Sequence, residues 1–178
     1  MIGDLVSEAC GYAVIDVCEV EGLDYAGLHP DLSSGMRNAD PVVLPVLEAV
    51  GRLYRVHRER LEPHANHVGM IQCGRAFPRL TSRRVQHDVE RGGRVSPATF
   101  INASAGAAIS FCCTRFGFRG PTLTLTMPTA NARTVVDTLA SRWLTSGDAR
   151  YLLLVTADFV ETGEVHATAL LAGKPGAI

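Results

Sequence analysis

The chain contains 178 residues, of which 47% are hydrophobic and 20% charged, and its net charge is −1. This composition is typical of a globular protein and excludes wholesale disorder or a low-complexity chain. A chain of this length corresponds to about one domain, so we expect residues 1–178 to fold as a single domain. The balanced charge argues against nucleic acid as a partner, because nucleic-acid-binding domains usually carry a basic excess.

The cysteine pattern disfavours both a metal site and a disulfide framework. None of the cysteines forms a CxxC pair, and their number is odd: Cys10, Cys18, Cys73, Cys112 and Cys113. Zinc sites and secreted disulfide scaffolds usually have paired spacings. The first residues include Asp4 and Glu8 where a signal peptide needs basic residues, and no apolar run reaches the length of a membrane span. We therefore expect a cytoplasmic protein without a metal or a membrane partner.

Predicted strands and helices alternate along the chain. Runs of β-branched or apolar residues predict strands over 11–22, 67–74, 122–127, 151–158 and 165–172. Helical spacing and cap residues predict helices from Asp40 to about Leu61, over 79–94, over the small-residue stretch 98–116, and over 130–146. The alternation predicts an α/β fold in which layered helices surround a mixed, largely buried sheet.

A set of landmarks in residues 96–158 follows a recognisable order. The landmarks are Ser96-Pro97, Phe100, Asn102, Gly106, Gly120-Pro121, the strand 122–127, a turn, a helix ending at Gly147, and the buried strand 151–157. This order resembles the N-terminal half of the β-ketoacyl synthases, which are condensing enzymes of the thiolase fold. A weaker match extends the resemblance to residues 37–172. It implies a thiolase-like N-terminal-half fold and a role in fatty-acid or polyketide-type specialised metabolism.

The chain departs from this family at the nucleophile. The family places its nucleophilic cysteine in the strand-to-helix turn after Gly-Pro, where the helix N-terminus favours the thiolate. Here the turn is Met127–Asn131, and the matching position is Thr129 or Ala130, depending on the landmark used for counting. The family's two catalytic histidines lie in a second half of the fold, and the six histidines here do not match them. The chain is therefore expected to lack condensing activity of its own.

The first functional hypothesis is a partner or chain-length-type factor of a synthase. The resemblance implies an acyl carrier protein or a synthase subunit as partner, and a homo- or heterodimer formed near strand 122–127 and helix 98–117. No cofactor is expected beyond the phosphopantetheine thioester of a carrier protein as substrate. An arginine patch would suit an acidic carrier protein, with a solvated face as the alternative. The candidate docking residues are Arg52, Arg55, Arg58, Arg83 and Arg84.

The second hypothesis is a small acyl-thioester enzyme, such as a hydrolase, acyltransferase, dehydratase or cyclase. Its candidate catalytic residues are Thr129, Asn131 and Arg133 at the start of the helix, with His166 or His67 brought near by folding. Thr129 could instead be a helix cap. A binding module or structural remnant without a ligand is the third hypothesis.

Overall fold

The computed structural model describes residues 11–36 and 39–176. Its centre is a five-stranded sheet with the order β1-β5-β4-β2-β3. The strands are β1 Ala13–Glu21, β2 Val68–Cys73, β3 Thr122–Leu125, β4 Tyr151–Phe159 and β5 Val165–Gly173. Strands β3, β2 and β4 run parallel, whereas β5 is antiparallel to both β4 and β1. The predicted α/β fold with a mixed sheet is confirmed, as is a strand at each of the five predicted ranges, with β4 and β5 each one residue longer than predicted.

Helices cover both faces of this sheet. They are α1 Pro30–Ser33, α2 Val43–Val56, α3 Arg58–Leu61, α4 Arg79–Glu90, α5 Pro97–Asn102, α6 Ala107–Phe116 and α7 Thr129–Ser146. A 3-10 segment, Glu62–His67, leads into β2. Within the described ranges, no helix is long and apolar enough to cross a membrane.

The core lies in two layers, one on each side of the sheet. Helices α2 and α6 pack on one face, together with Leu153, Val155 and Ala157 of β4. Helix α7 packs on the other face, with Leu152 and Leu154. Because neighbouring side chains of a strand point to opposite faces, the continuous apolar run of β4 supplies both layers.

The predicted helix over 98–116 is wrong as a single element. It divides into α5 and α6, and residues 103–106 form turns between them. Ser96 caps α5 as expected, because its hydroxyl accepts a hydrogen bond from the backbone N–H of Thr99 at 3.2 Å. Gly106 marks the break, since glycine and serine favour turns over helix interiors.

The predicted helix from Asp40 to Leu61 is also shorter than expected. Helix α2 begins at Val43 and ends at Val56, and α3 follows after a break at His57. Asp40 caps the preceding turn rather than the helix, since its carboxylate accepts a hydrogen bond from the N–H of Val42 at 3.2 Å. The same carboxylate accepts a bond from the N–H of Thr81 at 2.9 Å, which ties the start of α4 to the start of α2.

Candidate functional site

The carboxyl ends of the three parallel strands meet at the start of α7. The N–H of Gly74, after β2, donates to the carbonyl of Met127, after β3, at 3.0 Å. The N–H of Arg75 donates to Asp158 Oδ1, near the end of β4, at 2.8 Å. Ligands of α/β sheets bind outside the carboxyl ends of parallel strands, so this edge is the first place to seek a site.

Gly74 allows this close approach. Its φ is +137°, a conformation that other residues rarely adopt. A Cβ atom at this position would overlap the carbonyl group of Ala157 on β4. Glycine is therefore required where the chain leaves β2 beside β4.

Thr129 is the first residue of α7, and its side chain points to β4. Its hydroxyl donates a hydrogen bond to Asp158 Oδ2 at 3.3 Å. The N-cap position belongs to Pro128, and no side chain caps the helix there. The interpretation of Thr129 as a cap is therefore wrong, because its hydroxyl is bonded to a carboxylate instead.

Cys73 is buried at the end of β2, on the side of the sheet that faces α7. The pKa of its thiol is raised to about 11, mainly by burial. The hydrogen bond with Thr129 opposes this shift, and the Asp158 carboxylate adds a smaller increase. A thiol with this pKa is protonated at neutral pH and is a poor nucleophile. Cys73 therefore does not replace the cysteine that the turn lacks.

His166 lies next to Asp158 on the sheet. The two residues are directly opposed in the antiparallel pair of β4 and β5. Residues opposed in this way share a face, with Cβ atoms about 4.5–5.5 Å apart. The structure thus brings the predicted residues Thr129 and His166 to one edge, on either side of Asp158.

The other predicted catalytic residues do not join this group. Asn131 is exposed on α7, and Arg133 Nε lies 3.8 Å from Asp137 Oδ2, one turn further along the helix. His67 lies at the opposite end of the sheet, where its carbonyl accepts a hydrogen bond from the N–H of Arg150 just before β4 begins. His67 is therefore not brought near Thr129.

The predicted docking arginines form two separate groups. Arg52 Nε and Arg55 Nη2 each lie 2.9 Å from Glu48 Oε1, and Arg58 pairs with Glu62 at 3.0 Å. Arg83 and Arg84 are exposed on α4, whose start is tied to the start of α2. At a rise of 1.5 Å per residue, Arg52 lies about 14 Å along α2 from its first residue. The five arginines therefore do not form one patch.

Sequence reasoning missed Asp158 and Arg75. Asp158 is a charged residue near the end of an otherwise apolar strand, and that position was the available signal. Its role depends on which strands are neighbours, because the partner atoms belong to residues 75 and 129. The order of strands in the sheet is needed to find such a residue.

A crevice of about 320 Å³ lies beside the edge strand β3. Its walls come from the start of α6, the Gly120 turn and β3, and include Ile109, Ser110, Cys113 and Thr124. Phe100 and Ile101 of the preceding helix α5 are exposed. This edge is the region where the family resemblance implies a dimer interface.

No protein-family model matches the chain, and neither does any curated protein. Solved structures do match it. A chain of the ketosynthase–chain length factor complex from Xenorhabdus doucetiae aligns with a TM-score of 0.65 and 11% identity, over 94% of this chain and 80% of that chain.

Two further structures match over most of this chain. For the ishigamide ketosynthase/chain length factor the TM-score is 0.58 and the identity 13%, over 94% of this chain and 63% of that chain. A type II polyketide synthase complex of acyl-carrier protein and ketosynthase gives a TM-score of 0.64 and 14% identity, over 92% of this chain and 62% of that chain. The chain thus spans less than two thirds of these two proteins. At sequence identities this low, structural similarity is evidence of a shared fold only. The chain has the thiolase-like fold of ketosynthases and chain length factors.

Proposed function

We propose that this protein is a partner of a ketosynthase, of the chain-length-factor type, and has no condensing activity of its own. It would assist carrier-protein-bound acyl chains in polyketide or fatty-acid-type synthesis. One observation carries the proposal. A ketosynthase-like fold has Thr129 at the start of α7, with its hydroxyl bonded to Asp158, where condensing enzymes have a thiolate.

The chemistry of condensation supports this assignment. Decarboxylative condensation needs a thiolate that holds the acyl chain and imidazoles that stabilise the enolate. Near α7 the described residues offer a threonine bonded to a carboxylate and a thiol whose pKa is about 11. Neither group is a thiolate at neutral pH, so the acyl chain would remain on the partner's thiolate.

The structural neighbours support a synthase subunit as the partner. Two of the three similar structures contain a ketosynthase with its chain length factor. The third contains a ketosynthase with an acyl-carrier protein.

The edge of β3 is the proposed contact with that subunit. As the last strand of the sheet, β3 presents backbone groups that a second sheet can bind. The crevice beside it and the exposed Phe100 and Ile101 add apolar surface. A homodimer or a heterodimer through this edge would extend the sheet across two chains.

The interface can be tested with the ketosynthase encoded nearest to this protein in its genome. Light scattering should detect a complex, and Ser110→Arg should abolish it, because the arginine would fill the crevice. Thr145→Arg, on the exposed end of α7, is the matched control and should leave the complex intact. A complex that withstands Ser110→Arg would exclude this edge, and a protein that binds neither ketosynthase nor carrier protein would contradict the proposed role.

Carrier-protein docking is proposed at Arg83 and Arg84 of α4 rather than at all five arginines. Arg52 and Arg55 are bonded to a buried carboxylate, and Arg58 to Glu62, so the charge of each is already paired. Changing Arg83 and Arg84 together to Glu should weaken carrier-protein binding at least tenfold, measured by calorimetry at low salt. The same double change at Arg52 and Arg55 would damage the fold, so Arg142→Glu on α7 is the control.

A second candidate function is an acyl-thioester enzyme, favoured by Thr129, Asp158 and His166 at one edge. The Thr129 hydroxyl would attack the thioester carbonyl, the C–S bond would break, and the carrier thiol would leave with the hydroxyl proton. Asp158 would be the base, because its Oδ2 already accepts the hydrogen bond of the Thr129 hydroxyl, and His166 lies beside it.

Intact mass after incubation with an octanoyl-loaded carrier protein separates the two functions. A partner subunit should gain no mass and release no thiol. Transfer of the octanoyl group to this chain, lost in the near-isosteric Thr129→Val variant, would establish the enzyme and overturn the noncatalytic proposal.

A further inference from the structure

A groove of about 510 Å³ lies on the side of the sheet opposite to Thr129. It is built from the end of β1, the start of α2, the start of α4 and the turn between β4 and β5. Its walls are mainly apolar and include Leu23, Val42, Pro45, Leu80, Phe159 and Val165. Phe159 and Asp158 are neighbours on β4, so their side chains point to opposite faces of the sheet. The groove is therefore separate from the site at the start of α7.

An arginine is held in the wall of this groove by two aromatic rings. The guanidinium carbon of Arg79 lies 5.0 Å from the ring centroid of Phe77 and 5.0 Å from that of Phe159. Such cation–π contacts fix the plane of a guanidinium without using its N–H donors. Arg79 is thus positioned in advance, with its donors available.

The acidic residues of the groove accept hydrogen bonds from neutral donors nearby, whereas its arginines have no carboxylate partner. Asp40 accepts hydrogen bonds from two backbone N–H groups. Asp24 accepts one from Gly27 at 2.9 Å, and Glu164 accepts one from the Thr162 hydroxyl at 3.3 Å. In the part of the chain that the structure describes, neither Arg79 nor Arg83 has a carboxylate within ion-pair distance. The guanidinium charge of Arg79, which is not paired with a carboxylate, is therefore available to an anionic group.

We propose that this groove binds an anionic amphiphile, namely a free fatty acid whose chain lies on the apolar walls and whose carboxylate binds Arg79. The volume lies within the range of about 300–1,000 Å³ that small-molecule sites occupy. Apolar walls with one fixed polar group are the usual composition of such sites. A planar guanidinium can bind a carboxylate with two parallel hydrogen bonds, which sets the orientation of the chain.

Leu80 offers an exposed apolar surface to the hydrocarbon chain of the ligand. This residue is 58% exposed although it lies in the groove lining. A bound acyl chain would remove this leucine from water, and burying a side chain of this size stabilises a complex. The proposal does not depend on the proposed partner function, because free fatty acid needs neither a carrier protein nor a synthase subunit.

The test uses dodecanoate and the uncharged dodecanol on the whole protein, with dodecanoate below its critical micelle concentration and dodecanol below its solubility limit. Calorimetry and native mass spectrometry should give one saturable dodecanoate per chain, with dodecanol binding at least about tenfold more weakly. Arg79→Gln should raise the Kd for dodecanoate about tenfold or more and leave that for dodecanol within about twofold. Arg91→Gln, at the exposed end of the same helix, should change neither.

Leu80→Glu provides a second variant if Arg79→Gln disturbs the fold, as judged by circular dichroism. It places a carboxylate on an exposed wall position and should weaken dodecanoate binding more than dodecanol binding. Equal binding of dodecanol and dodecanoate, an equal loss in Arg91→Gln, or no saturable binding of dodecanoate would each overturn the proposal.

Discussion

Glu48 and Asp158 are largely buried carboxylates on opposite faces of the sheet, and different kinds of contact position them. Glu48 lies on α2, and its side chain is 4% exposed. Two guanidinium groups, those of Arg52 and Arg55, bond to it at 2.9 Å, and the N–H of His29 donates to it at 3.1 Å. Its acceptors are occupied by the protein itself, so this cluster is structural.

Asp158 keeps one side open. Its side chain is 25% exposed, and its bonds come from a backbone N–H and a hydroxyl rather than from a close cation. Arg75 Nε is 3.8 Å away, which is too long for a hydrogen bond. The backbone around Gly74, and not charge pairing, positions Asp158. Charged side chains thus hold the Glu48 region, whereas backbone geometry positions the partly exposed carboxylate of Asp158.

The largest expected effect is that of Gly74→Ala at the Asp158 region. A Cβ atom would overlap Ala157 of β4, and a φ of +137° is strained for alanine. Overpacking and backbone strain together should lower the free energy of unfolding by about 4 kcal/mol, measured by urea denaturation. Gly106→Ala is the control, because its nearest atom, Thr124 Oγ1, lies at an ordinary 3.6 Å. Equal effects of the two changes would show that strand geometry does not position Asp158.

The next effect is that of Glu48→Ala at the α2 region. Removal of a buried carboxylate leaves two guanidinium groups and one N–H without their acceptor. Breaking a buried ion pair in this way should cost about 3 kcal/mol of stability. Glu62→Ala, which breaks the exposed pair with Arg58, should leave the melting temperature unchanged. If Glu48→Ala lost little stability, the pairs of Glu48 with Arg52 and Arg55 would be weak. These two arginines would then be free to bind a carrier protein.

More of the fold than of the candidate site could be predicted from the sequence. Strands such as β4 are short apolar runs bounded by turn residues, so local periodicity identifies them. The break at 103–106 was missed because alanine-rich composition favours a helix on either side of it.

The site depends on contacts between distant residues. Thr129 was found from the family order of landmarks, but its hydrogen bond to residue 158 depends on the parallel pairing of β2 with β4 and the position of α7. The five arginines look alike in the sequence. Only the buried position of Glu48 distinguishes the bonded Arg52 and Arg55 from the open Arg83 and Arg84.

A smaller effect is expected from the pH dependence of stability. Burial would raise the pKa of Glu48, but hydrogen bonds from Arg52, the His29 N–H and Arg55 outweigh it and lower the pKa. A carboxyl group with a lowered pKa in the folded state stabilises the fold above its ordinary pKa of 4.5. That contribution is lost as the pH falls through the lower, folded-state value.

Urea denaturation at pH values from neutral to strongly acidic checks this expectation. The free energy of unfolding should fall below about pH 4.5, and the slope should be smaller in Glu48→Gln. The difference between the two proteins should persist in about 1 M NaCl, because buried pairs are screened less than exposed ones. A difference that disappears with salt would place Glu48 among the exposed charges, and the contrast with Asp158 would fail.

The smallest effect on stability is expected from Asp158→Asn. Asparagine keeps an oxygen for the N–H of Arg75 and a similar shape, so the free energy of unfolding should change by about 1 kcal/mol or less.

The loss of the charge in Asp158→Asn should lower the pKa of the Cys73 thiol, but burial, the largest cause, should keep that pKa well above neutral. The pH dependence of alkylation by iodoacetamide measures that pKa. A large loss of stability instead would make Asp158 a second structural carboxylate like Glu48, and its open side would then have no functional meaning.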